Sequence, residues 1–554
     1  MNGGAQTHLP HRPRRGSTFT FAIQGDSHPE RTKNQFDPNL YTKTLLSAAS
    51  IQPDFYMTIG DDFSVDTLKD ANAETVRTLY INQRQWLGLV DAPVFLVNGN
   101  HEQASLANLD GTPNNVAVWA QTSRNAYYPQ PAPDNFYTGN VEPVEFIGQL
   151  RDYYAFTWGD ALFVVIDPYW HSTQSVDNLF GDGKPNEQEQ KGKRDLWEVT
   201  LGDVQYQWFR QTLETSNAKY KFVFTHHVLG TGRGGIELAD TFEWGDSKNL
   251  SQHRTWDKTI HQFMVDNNVT IFFQGHDHIF ARQEFDGVIY QTLPEPANPF
   301  YSWENQQAYK SGDLFPNSGH VRVTVSPDGV TVDYVRSYLE KPDEVAFSYM
   351  VKQLDCISCR LFPSNQTLLL VLTLLLSSCA PQPTPSLIPP IEPTPTSSPT
   401  LPTPAPTEKP RGQNPPQDQG SDASQSLDFG IPTHPYDVIL GRPTANSVTF
   451  SLLAYNDQTL SISYGTSSGN YASQTDPINL TANTLKPSNF PTCNLQRNIF
   501  TPSTTESKTP STPPAPQAQL TPSPSKRTHI STRTPAPKSI CRLSPTNALT
   551  IPIL

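Results

Sequence analysis

From Thr18 to about Tyr349 the chain alternates short apolar runs with longer segments of helical period. The runs FTFAIQG, DFYMTIG, PVFLVNG, ALFVVID, KFVFTHH and TIFFQGH each have strand length and near-continuous hydrophobicity. Segments such as LYTKTLLSAAS and VQYQWFRQTLETS between them place apolar residues three and four apart, as amphipathic helices do. Asp203 stands where an N-cap would open the second helix. Strands of this kind separated by helices imply sheets buried on both faces. The later stretch VRVTVSPDGVTVDYVRSY alternates about an Asp-Gly turn and predicts an antiparallel hairpin.

After Met350 the pattern changes. LLLVLTLLLSSCAP is apolar over about half the roughly twenty residues that a membrane-spanning helix requires. Preceded by Lys352 and Arg360 and ending at Cys379, residues 352–379 read as a signal segment of bacterial lipoprotein type. A lipidated Cys379 would anchor the chain to a membrane. Residues 380–432 form a Pro-rich linker of extended, polyproline character. Residues 433–487 resume short alternating strands, as in part of a β-sandwich. Residues 1–17 and 488–554 carry no strand or helix period and are expected to be unstructured. This order leaves open a fusion of two reading frames or a genuine two-part protein. The first implies that residues after 350 add nothing to the stability of the domain before them.

Composition narrows the chemistry. The 554 residues carry 51 prolines and a formal charge of -13, and an acidic surface argues against a nucleic-acid partner. All five cysteines follow residue 350, so any metal held before that point must use His, Asp, Glu or Asn. Cys356 and Cys359 form a lone C-x-x-C, too little for a zinc site.

Polar residues of the right kinds stand at the ends of five apolar runs. IQGDSH supplies Asp26 and His28, TIGDDF supplies Asp61, and VNGNHE supplies Asn100 and His101. VFTHH supplies His226 and His227, and QGHDH supplies His276 and His278. A lone H-x-H is as readily a pair of exposed loop histidines as a site, because residues two apart on a strand share a face in either case. Five clusters in succession, four of them opened by glycine, point to one ligand site at the carboxyl ends of strands. Imidazole and carboxylate suit Mn, Fe or Zn, and two cations at close range need a carboxylate between them.

The ordered set D-x-H, G-D, G-N-H-E, H and G-H-x-H resembles the calcineurin-like metallophosphoesterase superfamily over residues 18–349. The resemblance implies a four-layer α/β/β/α sandwich that hydrolyses phosphate mono- or diesters through a metal-bridging hydroxide. It implies two divalent metal ions, one on Asp26, His28 and His278 and the other on Asn100, His226 and His276, with Asp61 bridging. His101 would meet the phosphate or protonate the leaving group. Small phosphate esters are the implied substrates, and a nucleotide-specific phosphodiesterase or nucleotidase would use the same site. The cell-envelope location expected of the chain is also what the resemblance implies. A non-catalytic envelope lipoprotein that only binds ligands is the reading outside enzymology. His227 is either a supporting residue or an exposed neighbour, and Arg233 is a candidate contact for a phosphate oxygen. The 433–487 segment resembles the start of the fibronectin-III-like domain of purple acid phosphatases. Those enzymes carry D-x-G and an iron-binding tyrosine where this chain has His28 and Ser64, so a non-purple enzyme is expected.

Overall fold

The computed structural model describes residues 12–172 except 33, 199–229, 233–236, 239, 256–352, 432–482 with short gaps, and strands at 6–8 and 540–545. The signal-like segment beyond Lys352, the Pro-rich linker up to 431 and most of the C-terminal tail lie outside the described residues.

All six apolar runs are strands. We number the elements in chain order: β1 (Phe19–Gln24), α1 (Pro38–Ser50), β2 (Phe55–Thr58), α2 (Ala73–Leu87), β3 (Val94–Leu96) and α3 (Val116–Tyr127). Then follow β4 (Thr138–Gly139), β5 (Tyr154–Trp158), β6 (Ala161–Val165), α4 (Gly202–Thr215), β7 (Tyr220–Phe224), α5 (Ile260–Asp266) and β8 (Ile271–Gln274). The domain closes with β9 (Phe280–Phe285), β10 (Val288–Thr292), β11 (Asp313–Phe315), β12 (Gly319–Ser326), β13 (Gly329–Arg336) and β14 (Glu344–Val351).

One sheet has the order β14-β13-β12-β1-β2-β3, and the other β11-β9-β10-β8-β7-β6-β5-β4. β1, β2 and β3 run parallel, as do β6, β7, β8 and β10. β12 and β13 form the expected hairpin, but its turn residues are Pro327 and Asp328 rather than Asp328 and Gly329, because Gly329 already pairs with Ser326.

Strand alternation builds the layers. Phe21 and Ile23 of β1, with Phe163, Phe222, Phe224 and Phe273 of the facing sheet, fill the space between the sheets. Phe21 and Phe163 meet edge to face with centroids 5.3 Å apart, a favoured aromatic geometry. The intervening Ala22 and Tyr56 turn outward onto α1 and α2, while Val223 and Phe272 turn outward onto α4 and α5. The result is the expected four-layer α/β/β/α sandwich.

One more expectation is corrected, and a second meets contacts that bear on it. Asp203 does not cap α4: the N-cap is Leu201, and Asp203 lies in the first turn, where its Oδ1 accepts the Trp256 indole N–H at 2.8 Å. The second concerns the chain after 350. The hairpin of β15 (Tyr436–Gly441) and β16 (Thr449–Ala454) shares a core with α1 and α2 through Ile439 and Leu453, joined by Tyr455 just beyond it. The fully buried Arg84 of α2 donates to Ser451 Oγ and O, both at 2.9 Å, and to Asp437 O at 3.3 Å. A buried guanidinium must find such acceptors, and here the hairpin supplies them. The following strands, Gln458–Gly465 and Ile478–Leu480, pair in a separate small sheet rather than extending the hairpin. Gln6–His8 pairs with Ile540–Pro545, joining two segments that carry no strand pattern of their own.

Candidate metal centre

Parallel strands deliver every proposed ligand to one end of the sandwich. Asp26 and His28 follow β1, Asp61 follows β2, and Asn100 and His101 follow β3; His226 follows β7, and His276 and His278 follow β8. All are buried. The backbone folds back sharply at these points: His28, Asp61, His276 and His278 have φ of 43°, 56°, 68° and 53°, in the left-handed region. Each such residue costs of order 1–2 kcal/mol, and strain of this kind collects at functional sites. Glycine makes the close approaches possible. A Cβ on Gly60, itself at φ 104°, would lie 2.7 Å from Gly99 N, and one on Gly275 would lie 2.7 Å from Asp26 Oδ1.

Three groups of side chains converge: Asp26, His28 and His278; Asp61, His226 and His276; and His28, Asp61 and His101. His28 Nε2 lies 3.1 Å from His278 Nε2, and His278 Nε2 lies 3.0 Å from Asp26 Oδ2. Across the site His226 Nε2 lies 3.0 Å from Asp61 Oδ2 and 3.3 Å from His276 Nδ1. The same Asp61 oxygen is 3.8 Å from His28 Nε2, so Asp61 stands between the two groups.

The outer nitrogens explain why the inner ones point together. His28 Nδ1 faces Glu30 Oε1 at 2.9 Å, His278 Nδ1 faces Glu295 Oε1 at 3.3 Å, and His226 Nδ1 faces the Ile59 carbonyl at 2.9 Å. The first and third of these partners orient the rings of His28 and His226 and leave their Nε2 atoms toward the cluster. The Nε2 atoms of His28 and His278, 3.1 Å apart, are close enough to share a cation. Buried Asn100 Oδ1 has no hydrogen-bond partner, as expected of an atom reserved for another group.

Electrostatics divide the four histidines. Burial lowers the basicity of His226 and His278, but Asp61 and Asp26 outweigh it and lift His226 to about 9, and Glu295 and Asp26 outweigh it and raise His278. Burial, with Arg31 and Arg233 adding respectively, holds His28 and His276 well below the ordinary histidine range, which keeps them neutral. Burial opposes ionisation of Asp61, but His226 and His101 outweigh it and hold its carboxyl below the ordinary range. The neighbouring Asp62 is different. Burial pushes it up to about 7, and it accepts from Ser27 and Gln24 rather than facing the cluster.

His101 lies beside the ligands. Its Nδ1 faces Asp66 Oδ1 at 2.9 Å, and its Nε2 is 3.8 Å from Asp61 Oδ2. Burial lowers its basicity, but the charges of Asp61 and Asp66 dominate and lift it to about 10. His227 is buried with Nδ1 3.2 Å from the Tyr169 hydroxyl, its ring 4.5 Å from that of His276. Arg233 donates through Nη1 to the His276 carbonyl and to Asp277 Oδ1, which ties it to the histidine turn.

Sequence reasoning passed over several supports. Glu102 accepts four backbone amides, those of Gly99, Asp61, Asp62 and Phe63, at 2.6–3.2 Å, and so welds the loops after β2 and β3. It is the last residue of G-N-H-E, so its place in the motif was a usable signal. Glu30, Asp66 and Arg31 lie close to motif residues in the chain; Glu295 carries no local signal.

Residues 19–280 match the family model for calcineurin-like phosphoesterases. No curated protein matches the sequence. Similar solved structures include that of PhoD, 16% identical over 61% of this chain and 71% of that one, with a TM-score of 0.43. A purple acid phosphatase from yellow lupin seeds is 14% identical over 62% of this chain and 55% of its own, with a TM-score of 0.36. A dimetal phosphatase from Danio rerio is 14% identical over 60% of this chain and 98% of its own, with a TM-score of 0.32. None of these is near enough to transfer a substrate.

Proposed function

We propose that this metal-dependent phosphoester hydrolase, whose calcineurin-like phosphoesterase domain spans residues 19–280, works with two divalent cations on small phosphate mono- or diesters. Asp26, His28 and His278 would hold one cation, Asn100, His226 and His276 the other, and Asp61 would serve both. The observation that carries this reading is the close approach of His28 Nε2 and His278 Nε2, 3.1 Å apart, together with that of His226 Nε2 and Asp61 Oδ2 at 3.0 Å.

When bound, such cations polarise the phosphate and make water nucleophilic near neutral pH. The residues of the chain do the rest. Glu30 and the Ile59 carbonyl orient the imidazoles of His28 and His226, and Glu295 lies beside that of His278. Asp66 holds His101 with Nδ1 protonated, leaving Nε2 to meet the phosphate or deliver a proton to the departing oxygen. Burial of the whole cluster strengthens each of these interactions. Neutral Asn100 adds an oxygen without further negative charge.

The test is metal analysis of the full chain after purification with Mn, Fe or Zn, followed by assay on p-nitrophenyl phosphate and its bis ester. Two equivalents of metal and hydrolysis of at least one ester are expected. Metal-independent hydrolysis, or one equivalent at full activity, would overturn the dinuclear reading.

A further inference from the structure

We infer that Arg31 is the residue that receives the outer oxygen of a phosphate monoester and so favours monoesters over diesters. This rests on the phosphoester-hydrolase reading above and specifies its substrate class.

Arg31 sits three residues after His28 on a turn with little freedom. Its amide donates to the His28 carbonyl at 3.0 Å, and its own carbonyl accepts from Asn34, Gln35 and Phe36 at 2.9–3.0 Å. Asp37 then caps α1, fixing where the turn ends. The guanidinium is held along two of its edges: Nε faces Glu30 Oε1 at 3.3 Å, and Nη1 donates to Gln35 Oε1 at 2.5 Å. The third nitrogen, Nη2, lies 3.4 Å from His101 Nε2. The side chain is 17% exposed, whereas His101 is 2% exposed, so the arginine is the more accessible of the two.

This arrangement has a chemical consequence. With His101 Nδ1 turned to Asp66, Nε2 is the ring atom left to meet substrate, and Nη2 is directed at that same atom. A phosphate oxygen approaching His101 therefore comes within reach of a guanidinium that its neighbours have already oriented. Glu30 links the two sites, since one oxygen receives both the His28 ring and Arg31 Nε. Ordering is thus supplied before substrate arrives, which is where binding energy is otherwise lost. A monoester dianion presents a charged oxygen here; in a diester that oxygen is esterified or replaced by a bulkier group. Arginine gains most from the former, because hydrogen bonds between two charged groups exceed neutral ones.

The experiment compares the full chain with Arg31→Met and Arg31→Lys, metal content matched, on p-nitrophenyl phosphate, bis-p-nitrophenyl phosphate and inorganic phosphate. Arg31→Met should weaken phosphate binding by calorimetry, and raise KM for the monoester, about 10–100-fold, the worth of one charge-assisted contact. KM for the diester should change less than about 3-fold, kcat should fall less than KM rises, and Arg31→Lys should recover part of the loss. Equal effects on both esters, unchanged phosphate binding, or loss of metal in Arg31→Met would each overturn the inference. A parent chain that hydrolyses neither ester would instead overturn the hydrolase reading, a separate failure.

Discussion

The backbone amide of His101 donates to Oδ1 of Asp61 at 3.0 Å. The two residues lie 40 positions apart at the ends of neighbouring strands, and this bond sets the acid of one motif against the histidine of another. It turns Asp61 so that Oδ2, the oxygen nearest His226, faces both histidine groups.

Replacing Asp61 with Asn should therefore disturb both groups at once. Metal content is expected to fall below one equivalent and turnover by at least about 100-fold, more than loss of an orienting neighbour alone typically brings. Elemental analysis decides the point. Two retained equivalents would remove Asp61 from the bridging position.

His101→Ala should behave differently, keeping both metals while turnover drops about 10²–10⁴-fold, the range for a missing acid or phosphate contact. Asp66→Asn should fall between the parent and His101→Ala, because it loosens His101 without removing it. Loss of metal in His101→Ala would make the histidine a ligand.

Glu102→Gln tests the weld between the loops. The amide side chain turns a donor toward backbone N–H groups that now meet carboxyl oxygens, and it should cost roughly 1–3 kcal/mol of stability. Denaturant unfolding of the metal-free protein reads this directly. No change in the midpoint would show that the four amides are satisfied some other way.

Truncation after Lys352 should lower the melting temperature by about 5 °C or more. It strips Arg84 of its Ser451 and Asp437 acceptors and uncovers a core face shared with Ile439 and Leu453. Arg84→Met in the full chain should lose less than the truncation does, since it leaves that apolar contact in place. Equal melting temperatures for the truncated and full chains would mean that the hairpin is dispensable. Metal must be held constant throughout, because a bound ligand shifts stability by itself.

Much of the catalytic half was legible because its signals are local. Near-continuous runs such as Phe19–Gln24 announce strands buried on both faces, and the polar residue just past each run falls at a strand end whatever lies beyond. What escaped depends on contacts distant in the chain. Arg84 and Ser451 are 367 positions apart, and no pattern near either predicts the meeting. Arg31 approaches His101 across 70 positions, and Asp203 was misread because Trp256 takes the carboxylate that a capping rule would assign to the helix.

The pairing of His28 with His278 spans 250 positions. A ribosome adding about 5–20 residues per second takes roughly 12–50 s to make that stretch, and the final residues must also clear the exit tunnel. Until then the early histidine and its carboxylates emerge without the partners that would close a coordination sphere. A cation site that needs both histidines would consequently close only in the finished domain and not on the growing polypeptide. A metal bound there would be one available where synthesis and folding end, so that the place of folding would help to choose it.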